Sequence, residues 1–131
     1  MKKIGLRYAL VPAILVALYL ACAIPGSAAM VMTPYLQAVT TNSVYVLVEC
    51  DSTSTVTVQY GLTTSYGSAA TTQSYDSTTG STWVHNVKLT GLQANTTYHY
   101  RASQGGAYSS DYTFKTACNA GTSFRFAFAA D

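Results

Sequence analysis

LTGLQANTTYHYRA, residues 89–102, decides the fold of this chain. Leu89 and Leu92 are apolar anchors on either side of Gly91, where the chain can turn, and Asn95 marks a further turn. Tyr98 then opens a run of period two. Tyr98, Tyr100 and Ala102 share one face, and His99, Arg101 and Ser103 share the other. A tyrosine at the start of a strand can bury its ring and return its hydroxyl to the backbone of the corner just passed. Such a tyrosine corner links strands in two packed sheets, so this stretch predicts a β-sandwich.

The same alternation recurs on both sides of it. Val44, Val46, Val48 and Cys50 oppose Tyr45, Leu47 and Glu49; Val56, Val58 and Tyr60 oppose Thr55, Thr57 and Gln59. Trp83, His85, Val87 and Leu89 oppose Val84, Asn86 and Lys88; Tyr112, Phe114 and Thr116 oppose Thr113 and Lys115. Turn formers bound each run: Thr41-Asn42, Asp51-Ser52, Gly61, Gly80, Gly91 and Gly105-Gly106. No segment after residue 30 has a helical apolar period. The prediction is an all-β, immunoglobulin-like antiparallel sandwich of about seven strands, and the sequence looks like a fibronectin type III-like module. Trp83, the lone tryptophan, is assigned to core packing. The Ser/Thr/Ala stretch at 63–80 is expected to be a solvated connection holding one short edge strand.

The N-terminus reads as an export signal. Lys2, Lys3 and Arg7 precede the apolar run 9–24, Pro25-Gly26 breaks a helix, and Ser27 and Ala29 supply small residues before a cleavage point. The run is shorter than the roughly 20 residues that span a bilayer, so no membrane association is expected after cleavage. Leu20-Ala21-Cys22 hints at lipidation, but Tyr19 stands where such signals carry an aliphatic residue, so lipidation at Cys22 is the minor reading. The expected location is secreted, either extracellular or periplasmic. After residue 29, Lys88, Arg101, Lys115 and Arg125 face Glu49, Asp51, Asp76, Asp111 and Asp131, a formal charge of −1. No basic patch remains, which argues against nucleic acid as a partner.

Cys50 and Cys118 fall at opposite ends of the predicted sandwich, too far apart for a disulfide. Cys50 has inward parity and reads as a small buried hydrophobe. The two histidines have opposite parity: His85 points inward, near the sandwich edge, and His99 outward. No catalytic constellation and no cofactor-binding motif is specified. Asn95-Thr96-Thr97 fits an N-glycosylation sequon but is read first as a turn.

A series of short motifs narrows the resemblance. Pro34-Tyr35-Leu36-Gln37, Val58-Gln59-Tyr60-Gly61, His85 to Leu92, Thr97 to Arg101 and Tyr112 to Thr116 occur in an order similar to the N-terminal domain of purple acid phosphatases. Val48 departs from it, where the family often carries a tryptophan. The resemblance implies three parts: 1–29 a signal peptide, 30–117 the sandwich, and 118–131 a linker and the first strand of a metallophosphoesterase domain. Phe124 to Ala130 is apolar and ends in Asp131, as that first strand would. The resemblance makes Asp131 the first ligand of an incomplete metal site, although Ala130 stands where the family often has glycine. A carboxylate at a strand's carboxyl end is a hard ligand for iron, zinc or manganese. By this reading the chain is the non-catalytic front end of a parent phosphate ester hydrolase. That parent carries a binuclear metal centre of iron with iron, zinc or manganese, and the sandwich's partner is the downstream domain. The alternative is a stand-alone extracellular binding or adhesion module, using aromatics such as Tyr45, Tyr66 and Tyr75.

Overall fold

The computed structural model describes residues 29–78, 80–123 and 125. The signal peptide assigned to 1–29 and the apolar strand ending at Asp131 lie almost wholly outside the described residues, and Asp131 itself does.

Each alternating run forms a strand. The order is β1 (Tyr35–Gln37), β2 (Ser43–Cys50), β3 (Thr57–Gly61), β4 (Ser68–Thr71), β5 (Ser74–Ser77), β6 (Trp83–Thr90), β7 (Thr97–Gln104), β8 (Ala107–Tyr108) and β9 (Tyr112–Lys115). One sheet runs β1-β2-β6-β5; the other runs β4-β3-β7, with β8 and β9 pairing successive parts of β7. All pairings are antiparallel. Nine described strands replace the seven expected, for two reasons. The last strand is interrupted between Tyr108 and Tyr112. The stretch at 63–80 yields two edge strands: β4 completes one sheet, the chain crosses over, and β5 completes the other. Tyr75, expected in a loop, therefore lies on β5 opposite His85.

Parity places the core. Val44, Val46, Val48, Cys50, Val56, Val58, Val87, Leu89 and Ala102 have no exposure, and Tyr98, Tyr100 and Phe114 nearly none. The tyrosine and phenylalanine rings interlock, with Tyr98 stacked on Phe114 at 5.6 Å and Tyr100 edge-on to Phe114 at 5.7 Å. Burying one such valine fully contributes about 1.5–3 kcal/mol, so the valine ladder of β2 alone matches the net stability of a small domain before chain entropy is subtracted.

Cys50 and Cys118 are both free. Cys50 closes β2 opposite Trp83. Cys118 follows Ala117, whose N–H donates to the Thr40 carbonyl before the start of β2. The two cysteines thus sit at opposite ends of the sandwich, as the alternation predicts. Burial first, then the nearby Asp51 and Glu49 carboxylates, pushes the Cys50 thiol up to about 11. It is an inert core thiol.

Candidate functional site

Three polar constellations stand out, one at each end of the sandwich and one on its outer surface. At the end from which the chain leaves β9, the Gln93 N–H donates to the Tyr98 hydroxyl at 3.0 Å. This is the expected tyrosine corner. Asn95 sits in the same corner with φ 54°, its N–H donating to the Ala117 carbonyl. Thr116 closes the corner from β9, donating to the Gln93 carbonyl at 2.6 Å and accepting from the Thr96 N–H at 2.9 Å. The sequon asparagine is thus part of a turn, as first read.

The opposite end holds a buried network that the sequence did not suggest. His85 is fully buried on the interior strand β6, not at an edge. Its Nε2–H donates to the Ser52 carbonyl at 2.8 Å, since a carbonyl only accepts. The Thr72 hydroxyl lies within hydrogen-bond reach of Nδ1, at 3.2 Å, and of the Val56 carbonyl, at 3.3 Å. Gln104 on β7, also buried, donates from Nε2 to the Ser52 and Ser54 carbonyls at 3.2 and 2.6 Å. Its approach to His85 Nε2 at 3.5 Å sets donor against donor and is not a bond. The Gln104 carbonyl oxygen is left buried without a partner among the described residues. This network pins the 51–56 connection over the core. His85 Nε2 and Gln104 Nε2 spend their N–H groups on local backbone carbonyls, so the network's role is structural.

The third constellation lies on the outer face of the sheet β4-β3-β7-β8/β9. Arg101 points outward from the middle of β7. Its guanidinium carbon lies 4.8 Å from the Tyr66 ring centre and 4.3 Å from that of Tyr108, and its Nε donates to Gln59 Oε1 at 2.8 Å. Beside it, His99 Nδ1–H donates to Asp111 Oδ2 at 2.8 Å, and the Tyr66 hydroxyl donates to Asp111 Oδ1 at 3.0 Å. The His99 hydrogen bond, aided by Tyr66, holds the Asp111 carboxyl below the ordinary carboxylate range against a smaller opposing effect of burial. Lost water contact, then the bond to Asp111, pushes the Tyr66 phenol up.

Tyr66 reaches across the sheet only through local strain. Its φ is 60°, the left-handed region that a bulky side chain rarely occupies. Gly61 makes room for it: a Cβ there would collide with the Tyr66 carbonyl. Sequence reasoning singled out Tyr66 but grouped it with Tyr45 and Tyr75. The structure places those two on the other sheet, Tyr45 beside Lys88 and Tyr75 against His85. Tyr108 and Arg101 were missed as partners, and no periodic signal joins Tyr66 to either.

Among the described residues no group of three or more His, Cys, Asp or Glu side chains stands together. The described residues therefore do not make a binuclear metal site, and no metal chemistry is derived from them.

Comparison with known proteins agrees with this architecture. Two solved structures, of the longer and shorter forms of the sensor domain of the anti-sigma factor RsgI4 in Pseudobacteroides cellulosolvens, share the fold. Their TM-scores are 0.52 and 0.50 at 17% and 15% identity, covering 76% and 72% of this chain and 99% of each of theirs. At that identity the likeness speaks for the fold alone. No curated protein matches the chain at a significant level. A family model described as the purple acid phosphatase N-terminal domain matches residues 33–116, the span from just before β1 to just past β9. With well over half of its length matched, around a tyrosine corner formed as its sequence predicts, the chain belongs to the purple acid phosphatase N-terminal domain family.

Proposed function

We propose that the sandwich is the non-catalytic N-terminal module of an exported, metal-dependent phosphate ester hydrolase, whose chemistry resides in a following metallophosphoesterase domain. The family match over residues 33–116 carries this reading. A two-metal centre in that domain, of iron with iron, zinc or manganese, supplies an activated water and stabilises charge on the transferring phosphoryl group. Asp131, at the end of an apolar run, is assigned as its first ligand on the strength of the sequence resemblance.

The module's own part in the hydrolysis is structural. The tyrosine corner and the Thr116 bonds fix the chain where it leaves β9, so the connection from Ala117 onward starts from a rigid base. Two measurements test the reading. The natural reading frame past Asp131 is expected to encode further Asp, Asn and His metal ligands; a stop codon there overturns it. The purified 131-residue chain, supplied with iron, zinc or manganese, is expected not to turn over a generic phosphate ester. Metal-dependent turnover by this chain alone also overturns it.

A further inference from the structure

The outer face of β4-β3-β7-β8/β9 is built to a degree that stability does not require. Arg101 is held between two tyrosine rings and by Gln59. Tyr66, one of those rings, is set there by an unfavourable backbone conformation, a glycine that admits its backbone and a bond to Asp111. Strain of this kind costs about 1–3 kcal/mol and persists where the surroundings over-determine it, which is common at binding surfaces. The result is a guanidinium whose plane is fixed before anything binds. Only its Nε makes a hydrogen bond, and no carboxylate among the described residues lies within salt-bridge reach of it. Its remaining N–H donors, the ones that form a two-pronged grip on an oxyanion, face solvent.

Charge on this face points the same way. Arg101 on β7 and the exposed Lys115 on β9 both carry positive charge there. The opposing acid is Asp111, and both of its oxygens are already bonded, to His99 and Tyr66. The face is thus locally positive on a chain that is formally −1 beyond residue 29. The surroundings decide what kind of anion fits. Cross-strand register puts Thr57, Ala69, Thr71, Ser103 and Thr113 on the same face, with no large aliphatic side chain to form the core of a peptide interface. Tyr108 leaves 54% of its surface exposed while Arg101 covers one side of its ring. Flat aromatic surface beside planar hydrogen-bonding groups suits the apolar faces and hydroxyls of a sugar ring.

We propose that this face binds a carboxylate-bearing polysaccharide, with Arg101 gripping a uronate carboxylate and Tyr108 carrying the sugar ring. This site is independent of the hydrolase reading and stands whether or not a catalytic domain follows.

The test uses the 131-residue chain and titration calorimetry with polygalacturonate, its methyl ester, dextran sulfate and poly-glutamate. Polygalacturonate is expected to bind, and the methyl ester, which lacks the charge, at least about tenfold more weakly. Arg101→Gln is expected to weaken polygalacturonate binding about tenfold or more, as central arginines do at interfaces. Arg101→Lys keeps the charge but loses the planar fork and is expected to fall close to Arg101→Gln. Tyr108→Ala, which leaves the arginine in place, is expected to weaken it about threefold to tenfold. Lys88→Gln, on the opposite sheet, is expected to change nothing. Thermal melts establish that each variant is folded. Absence of polygalacturonate binding overturns the proposal, as does an Arg101→Gln variant that is folded and binds like wild type. Equal binding of dextran sulfate overturns the carboxylate assignment, and equal binding of poly-glutamate overturns the sugar.

Discussion

At one end of the sandwich a buried aromatic ring leads the closure, with Thr116 beside it; at the other, several polar side chains share the task. The β6–β7 corner is bridged by Tyr98, whose ring stacks on Phe114 and whose hydroxyl accepts from Gln93 five residues earlier. The opposite end draws on Ser52, Ser54, Thr72, His85 and Gln104, brought together from two strand connections and the strands β6 and β7. The first arrangement is centred on one short stretch of sequence and mixes apolar burial with a few hydrogen bonds from Tyr98 and Thr116. The second is non-local and almost wholly polar. A ring buried in the core resists loss strongly, whereas a polar network contributes only its surplus over the hydrogen bonds its members would make with water. The two ends should therefore fail differently.

The sharpest test of that contrast is Tyr98→Ala, which opens a cavity beside Phe114 and is expected to cost about 3–5 kcal/mol in denaturant melts. Tyr98→Phe keeps the ring and is expected to cost about 1 kcal/mol, because Gln93 is exposed and water can reach its N–H. If the two variants prove equal, the corner depends on its hydroxyl and the contrast between the ends collapses.

At the far end, His85→Leu and Gln104→Leu are each expected to cost about 1–3 kcal/mol. Each leaves the Ser52 carbonyl with one of its two donors. The double variant leaves it with neither, so its cost should exceed the sum of the singles by about 0.5 kcal/mol or more. Simple additivity in that cycle means the two side chains do not share the carbonyl in solution.

Tyr75 tests where the network ends. Its ring lies 5.5 Å from that of His85, and 48% of the residue is exposed. Tyr75→Ala is expected to cost about 1 kcal/mol in the same melts, more than a substitution in a solvated loop. In a His85→Leu background that cost should shrink, since part of it is the contact between the rings.

The same contrast explains what could be read from the sequence. The corner was legible because Leu92, Asn95 and Tyr98 lie within one short stretch and act on each other. Burial on β2, β3, β6, β7 and β9 was legible in large part because parity assigns it, down to the full burial of Cys50 and His85. Tyr60, Trp83 and Tyr112 share the inward parity but are only half-buried, so Trp83 is not the core residue it was assigned to be, and Leu47 is buried on the opposite parity. The region 63–80 was not legible, because Ser, Thr and Ala differ too little in hydropathy to mark a face, and its two strands are fixed by the neighbours they pair with. The partners of His85 were hidden for a related reason. They are backbone carbonyls and a threonine hydroxyl, which carry no side-chain signal of their role. The Tyr66–Arg101–Tyr108 stack depends on one left-handed residue and on the hairpin that turns at Gly105-Gly106, and neither position announces what its neighbours will meet.

The smallest expected effect belongs to Asp111 and reaches back to the outer face. Its carboxyl is held below the ordinary range, first by His99, then by Tyr66, so its folded pKa lies below the unfolded value. For a carboxylate shifted downward, the folded state binds its proton less readily than the unfolded state. The resulting stabilisation is fully present above the unfolded pKa of about 4 and is lost as pH falls through the folded pKa. His99 and Asp111 are about a third exposed, at 30% and 34%, so solvent screens the pair and the effect is small. Asp111→Asn should therefore lower the denaturant midpoint slightly at neutral pH and converge on wild type in acid, with the gap narrowing as salt is added. A gap that stays constant across the acid range assigns the loss to packing and not to charge. Tyr66→Phe separates the two partners: it removes the bond to Asp Oδ1 but leaves His99 in place, so most of the acid-dependent gap should survive in it. Should Tyr66→Phe abolish that gap instead, Tyr66 and not His99 is what holds Asp111 ionised, and the tyrosine's strained backbone is then anchored chiefly by charge.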